Sequence, residues 1–184
     1  MNAMIKALWR TLPPVIACLA LVPLTQAEPR QDIEAKTRVA LDYLDEHVEE
    51  IDKLIERAAG VLVFPDVVEL TFGEGGRYGE GALMIDDQPA AYYATSGLSH
   101  GPTHEGVRKA ELILFMTRDA LIKFRNTINW KVGVSQNVTH VQVDERGHAH
   151  MPETAGAVLG FTFSDKGEMQ PLDLAGTSIS RIGR

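Results

Sequence analysis

Gly97-Leu98-Ser99-His100-Gly101 spells G-x-S-x-G, the spacing in which a serine hydroxyl on a strand-to-helix turn attacks an ester or amide. His140 or His150 would act as base and Asp144 as its orienter. The surroundings point elsewhere, because Pro102 and a polar loop follow the serine where a helix N-terminus should help to hold the oxyanion. Two histidine pairs, His100 with His104 and His148 with His150, are of a type that recruits zinc or copper. Gly101-Pro102 breaks the helix that would align the first pair, and no H-E-x-x-H accompanies either, so histidines facing water are the simpler reading and no metal is expected. The glycines at 73, 75, 76, 79 and 81 fit neither G-x-G-x-x-G nor G-x-x-x-x-G-K-[ST], and a strand follows them instead of a helix. They read as a hairpin or a place where backbones approach closely, with Arg77 and Tyr78 at its tip, solvated or touching a headgroup.

Charge supplies a different chemistry. From Glu105 to Lys131 six basic residues (Arg108, Lys109, Arg118, Lys123, Arg125, Lys131) face three acidic ones (Glu105, Glu111, Asp119), a local +3 in a 184-residue chain of net charge −7. Beside Phe124, Ile128 and Trp130 these cations form a basic, aromatic-edged patch suited to anionic lipid headgroups, each worth on the order of 1 kcal/mol near such a surface. The alternative is a solvated helix face paired with the acidic stretch 41–56. Nucleic acid is not expected as a partner, since phosphate binding needs a basic field.

The elements that must position these groups begin with a helical segment. From Pro29 to Ala59, the apolar residues Leu41, Leu44, Val48, Ile51, Ile55 and Ala58 recur at steps of three and four on one face. Pro29 suits a first turn and Gly60 the residue past the end. Beyond Gly60 the pattern changes to short β-branched runs: 61–64, 67–72, 79–85, 90–95, 111–116, 130–134, 138–143, 157–163 and 172–182. They predict an antiparallel, mostly sequential sheet, with hairpin turns at Asp86-Asp87-Gln88-Pro89 and Ser164-Asp165-Lys166-Gly167. Arg118 to Asn126 reads as one short helix, and Asp144 to Thr154 as a loop rich in Gly, His and charge, the best candidate for mobility.

Four ordered segments carry a resemblance: Ala58 to Pro65 running into Gly73 to Ile85, then Val107 to Met116, Ala120 to Val134, and Phe161 to Gly167 followed by Leu172 to Ile182. Together, from about Ala35 to Arg184, they resemble the SYLF lipid-binding domain, which occurs in eukaryotic membrane-associated proteins and in secreted bacterial ones. Leu98 to Glu105 stands where that family usually carries a Gly- and Ser-rich run, and Ser135 where it usually has an acidic residue. The resemblance implies an α+β fold: two N-terminal helices packed on an antiparallel β-sheet curled into a barrel or sandwich, with one short helix between strands. It also implies lipid contact through the N-terminal helix, here Arg30, Lys36 and Arg38, before the chain turns acidic from Asp42 to Glu56.

Residues 1–27 have a signal-peptide layout: basic Lys6 and Arg10, an apolar stretch from Leu12 to Leu24, then Thr25-Gln26-Ala27 before a cleavable bond. The stretch is short for a bilayer span, and Pro13-Pro14 would break a spanning helix. Val15-Ile16-Ala17-Cys18 loosely matches a lipoprotein box, but cleavage there would leave a second apolar run at the start. Cleavage after Ala27 removes two basic residues and no acidic one, moving the charge to −9. It also removes Cys18, the only cysteine, so the remaining 157 residues form no disulfide and rely on one core. The sequence thus predicts a cleaved leader and a single SYLF-like domain at 28–184. It predicts an exported, periplasmic or envelope protein that binds lipid or a membrane surface, without catalysis or cofactor. A hydrolase centred on Ser99, and a structural protein that binds another envelope protein, are the alternatives; oligomeric state is not specified.

Overall fold

The computed structural model describes residues 28–70, 75–99, 107–144, 146–164 and 176–184. The leader with Cys18, the start of the glycine turn at 71–74, the loop carrying His100 and His104, and the turn and strand start expected between 165 and 175 lie outside the described residues. The chain is α+β: the described residues form three helices and an eight-stranded mixed sheet curled into a half-barrel.

The helical segment is two helices, α1 (Arg30–His47) and α2 (Ile51–Arg57). No proline divides them. Val48 is extended and buried, Glu50 takes a left-handed φ of 60°, and the Glu49 N–H donates to the Gly147 carbonyl at 2.7 Å. The break is therefore set by a distant segment. Ile33, Thr37, Ala40 and Leu44 recur at helical spacing along the buried face of α1, which packs on β1 (Gly60–Leu70) and β2 (Gly75–Ile85).

The strand expectations at 61–64 and 67–72 merge into β1, with an irregular register between Phe64 and Val67. Pro65 lies in that bulge, where a missing N–H costs the ladder least. Opposite it are the glycines. A Cβ on Gly81 would sit 2.0 Å from the Val63 carbonyl oxygen, and one on Gly79 2.9 Å from Val67 Cγ2. Close backbone approach, as expected from sequence, explains both. β2 turns into β3 (Gln88–Ser99) through Asp86 and Asp87, both at positive φ, as a two-residue hairpin matching strand twist requires.

β4 (Val107–Phe115) returns to pair with β1, and Thr117 then caps α3 (Arg118–Asn126) by accepting from the Ala120 N–H at 3.2 Å. Short β5 (Trp130–Lys131), β6 (Thr139–His140), β7 (Gln142–Val143) and β8 (Ala149–His150) precede β9 (Val158–Ser164) and β10 (Ser178–Ile182). The sheet order is β5-β10-β3-β2-β1-β4-β9-β6. All its pairings are antiparallel except β6 with β9, which corrects the purely antiparallel expectation. The long strand expected at 130–134 stops after two residues and becomes a turn, and the one at 138–143 divides into β6 and β7. The expected loop at 144–154 contains β8, the second strand of the β7–β8 hairpin.

The curl is visible in side chains. Phe124 stacks within 4.7 Å of Phe115 on β4 and 4.9 Å of Tyr93 on β3. Those strands are three spacings apart in the sheet order, about 14 Å if it were flat. Leu62, Phe64, Leu83, Ile113 and Trp130 fill this concave side, while α1 and α2 cover the other with Ile33, Leu44, Ile51, Leu112 and Phe161.

Candidate functional site

A groove runs between α1 and the sheet where the β1 bulge bends the strand. Small side chains, Ala35 and Ala40 on α1 and Ala110 on β4, leave a cavity of about 380 Å³. That is within the ~300–1,000 Å³ usual for ligand sites. Its wall is apolar: Val39 is 67% exposed, and Tyr43 stacks on Phe163 of β9 with ring centroids 5.0 Å apart. At the rim, Asp66 of the bulge receives Arg108 at 2.5 Å and Lys36 at 3.6 Å, and Lys36 also meets Glu28 at 2.5 Å. The Glu28 hydrogen bond, chiefly, raises the Lys36 ammonium above its ordinary pKa. Lys36 thus stays charged, and it and Arg108 are about half exposed. Among the described residues the lining contains no histidine or cysteine. What the arrangement offers is an apolar trough with two cations at its mouth.

The expected lipid contacts divide. Lys36 and Arg108 reach the groove, whereas Arg38 is exposed on α1 away from its lining. Arg118, Lys123 and Arg125 lie exposed on α3, and Lys131 follows on β5. Three of the expected lipid contacts are corrected. Trp130 is fully buried and meets Phe124 edge-on at 5.4 Å. Arg77 is not at a turn tip: it is buried in β2, donates to both carboxylate oxygens of Glu111, and reaches Thr177 Oγ1 at 3.1 Å. Lys109 is buried too, 2.7 Å from Glu69 and 3.8 Å from Glu111. Burial raises the Glu111 pKa, against the pull of Arg77 and Lys109. Alternating strand direction turned these side chains inward, and a charge census cannot see that.

Tyr78 is half exposed and donates to Glu80 at 2.6 Å; partial burial and that bond push its phenol up to about 12. Ser99 ends β3, while His140 is on β6 at the far edge of the sheet. His150 instead meets Asp144 at 3.1 Å across the β7–β8 hairpin, where His148 contacts both Asp144 (3.4 Å) and Glu49 (2.8 Å). The His148 and Arg146 N–H groups donate to Asp144 and, with His150, hold its carboxyl well below the usual range. Among the described residues no group of three His, Cys, Asp or Glu is arranged to hold a metal ion. None of the described helices is long and apolar enough to cross a membrane.

Sequence reasoning missed Val39, Tyr43, Pro65, Asp66, Ala110 and Phe163, because the groove exists only where four elements meet. One signal was available. Val39 is a β-branched residue outside the buried stripe of α1. No family model matches this chain, and no curated protein matches it.

Proposed function

We propose that this protein binds lipid without catalysis, as an exported envelope protein built on a SYLF-like domain. The observation that carries the reading is the apolar groove beneath α1 with Lys36 and Arg108 at its mouth. An acyl chain would lie against Val39, Tyr43 and Phe163, and an anionic headgroup would compete with Asp66 for the two cations. Each methylene moved from water into the groove contributes about 0.8 kcal/mol, so affinity should rise roughly fourfold per added carbon until the trough is full.

Native mass spectrometry of gently purified protein tests this by reporting any retained lipid. Val39→Asp places a charge at the apolar wall on an exposed helix position, so folding should survive while retained lipid falls at least tenfold. A fluorescent fatty acid series should show the chain-length dependence. Retention of no lipid by the folded wild type, with no chain-length dependence, removes the proposal.

A further inference from the structure

Far along the chain from the groove, α3 and the turns around β5 carry a second, differently built surface. Ile128 is 89% exposed, Val134 81% and Ile122 47%, in a stretch of seventeen residues that also holds Arg118, Lys123, Arg125 and Lys131. β10 adds a fifth cation. Its Ile179 and Ser178 pair with Trp130 and Lys131, and Ser180 Oγ donates to Asn129 at 2.7 Å, so the antiparallel register carries Arg181 to the level of Ile128. Arg181 pairs with Tyr93 across β10 and β3, and Tyr93 meets Phe124 of α3 at 4.9 Å, which puts Arg181 and α3 on the same side of the sheet. None of these five cations makes an ion pair with a described acidic residue, in contrast to Lys36, Arg77, Arg108, Lys109 and Arg184. Asp119 is the only acidic residue of α3.

Unpaired cations around exposed branched aliphatics, in a chain of net charge −7, are the reverse of what solubility alone requires. Beneath them Phe124 and Trp130 are locked in the core, so Ile128 is presented on a rigid base. The arrangement matches an interface whose surface is negative and whose interior is apolar, which is an anionic bilayer. We propose that the α3–β5 end is the membrane-docking face, with Ile128 and Val134 entering the headgroup region and Arg118, Lys123, Arg125, Lys131 and Arg181 engaging lipid phosphates. This rests on the reading of the protein as lipid-binding, but it uses none of the groove residues. The groove holds a lipid and the α3 end meets the membrane that supplies or receives it.

The test is co-sedimentation of the protein, purified from cells expressing the full chain, with vesicles of equal parts phosphatidylglycerol and phosphatidylcholine, and with phosphatidylcholine alone. Comparing variants with wild type cancels any contribution of residues 1–27, which all share. Wild type should sediment with the anionic vesicles only, and less as salt rises. Arg125→Gln with Lys131→Gln should weaken this roughly thirtyfold, and Ile128→Ser roughly tenfold. All three positions are exposed, so both variants should keep the wild-type circular dichroism and the same retained lipid. Undiminished sedimentation of the double variant overturns the proposal. So does a wild type that retains lipid yet ignores anionic vesicles, an outcome that leaves the groove standing and assigns the face to an acidic protein. Loss of retained lipid with docking intact would instead strike the groove alone.

Discussion

The concave side of the sheet is closed in two chemically opposite ways. Toward α3 it is filled by rings, Phe115, Phe124, Tyr93 and Trp130, stacked, tilted or edge-on within 5.4 Å of their neighbours. Along the same strands, beyond Phe64 and Ile113, it holds Arg77, Glu111 and Lys109, all buried, with Glu69 partly so. The rings stabilise by removing apolar area from water. The charges largely cancel their own desolvation cost. The ionic end thus adds little net stability but fixes which strands meet: Arg77 of β2 joins Glu111 of β4 and Thr177 before β10, an arrangement that a slipped register could not satisfy.

Substitutions separate these roles. Phe124→Ala should cost about 3–5 kcal/mol in urea unfolding, since it empties the point where three rings converge. Arg77→Met should cost a similar amount, about 3–5 kcal/mol, because Glu111 keeps its buried charge without its main partner. The contrast sharpens in the double variant. Arg77→Met with Glu111→Leu should recover most of that loss, to within about 1 kcal/mol of wild type, whereas no second apolar change should rescue Phe124→Ala. If the double variant stays as unstable as the single one, the ionic end is a net source of stability and the comparison fails. A smaller effect lies at Gly79→Ala, which should cost about 1–3 kcal/mol, because Val67 and the Asp66 carbonyl must give way to the added methyl.

The smallest effect concerns Asp144. Its carboxyl titrates below the range of the unfolded chain, so its contribution is complete above a pH of about 4 and is lost only as pH falls through the folded value. An NMR titration should show the Asp144 carboxyl carbon without a protonation shift down to about pH 4 and moving only below it. Movement at the ordinary aspartate pKa would mean that the hairpin does not hold the carboxylate.

Much of the architecture was legible in the sequence because it depends on local rules. The helical spacing of Leu44, Val48 and Ile51, Asp86-Asp87 at a two-residue turn, α3 from Arg118 to Asn126 and the crowding of Gly79 and Gly81 each follow from spacing or backbone sterics, whereas Ile33, Thr37 and Ala40 on the buried face of α1 were not picked out. The parallel pairing of β6 with β9 was not legible, since nothing in Thr139-His140 names a partner. For the site, Lys36 and Arg108 were read correctly as surface cations, but Arg77 and Lys109 look the same in sequence and are buried. Only the strand register distinguishes Arg108, facing the groove, from Lys109, facing the core. Asp66 escaped notice because its role depends on a bulge.

At Gly147, φ is +88°, and a Cβ there would stand 2.6 Å from the His47 carbonyl oxygen, while its own carbonyl accepts from Glu49. A single side-chain-free residue therefore staples the bend between the two N-terminal helices to a hairpin a hundred positions downstream. Prising that staple open would release the end of the helix that roofs the groove, so the width of the groove is set in part by a residue outside its lining.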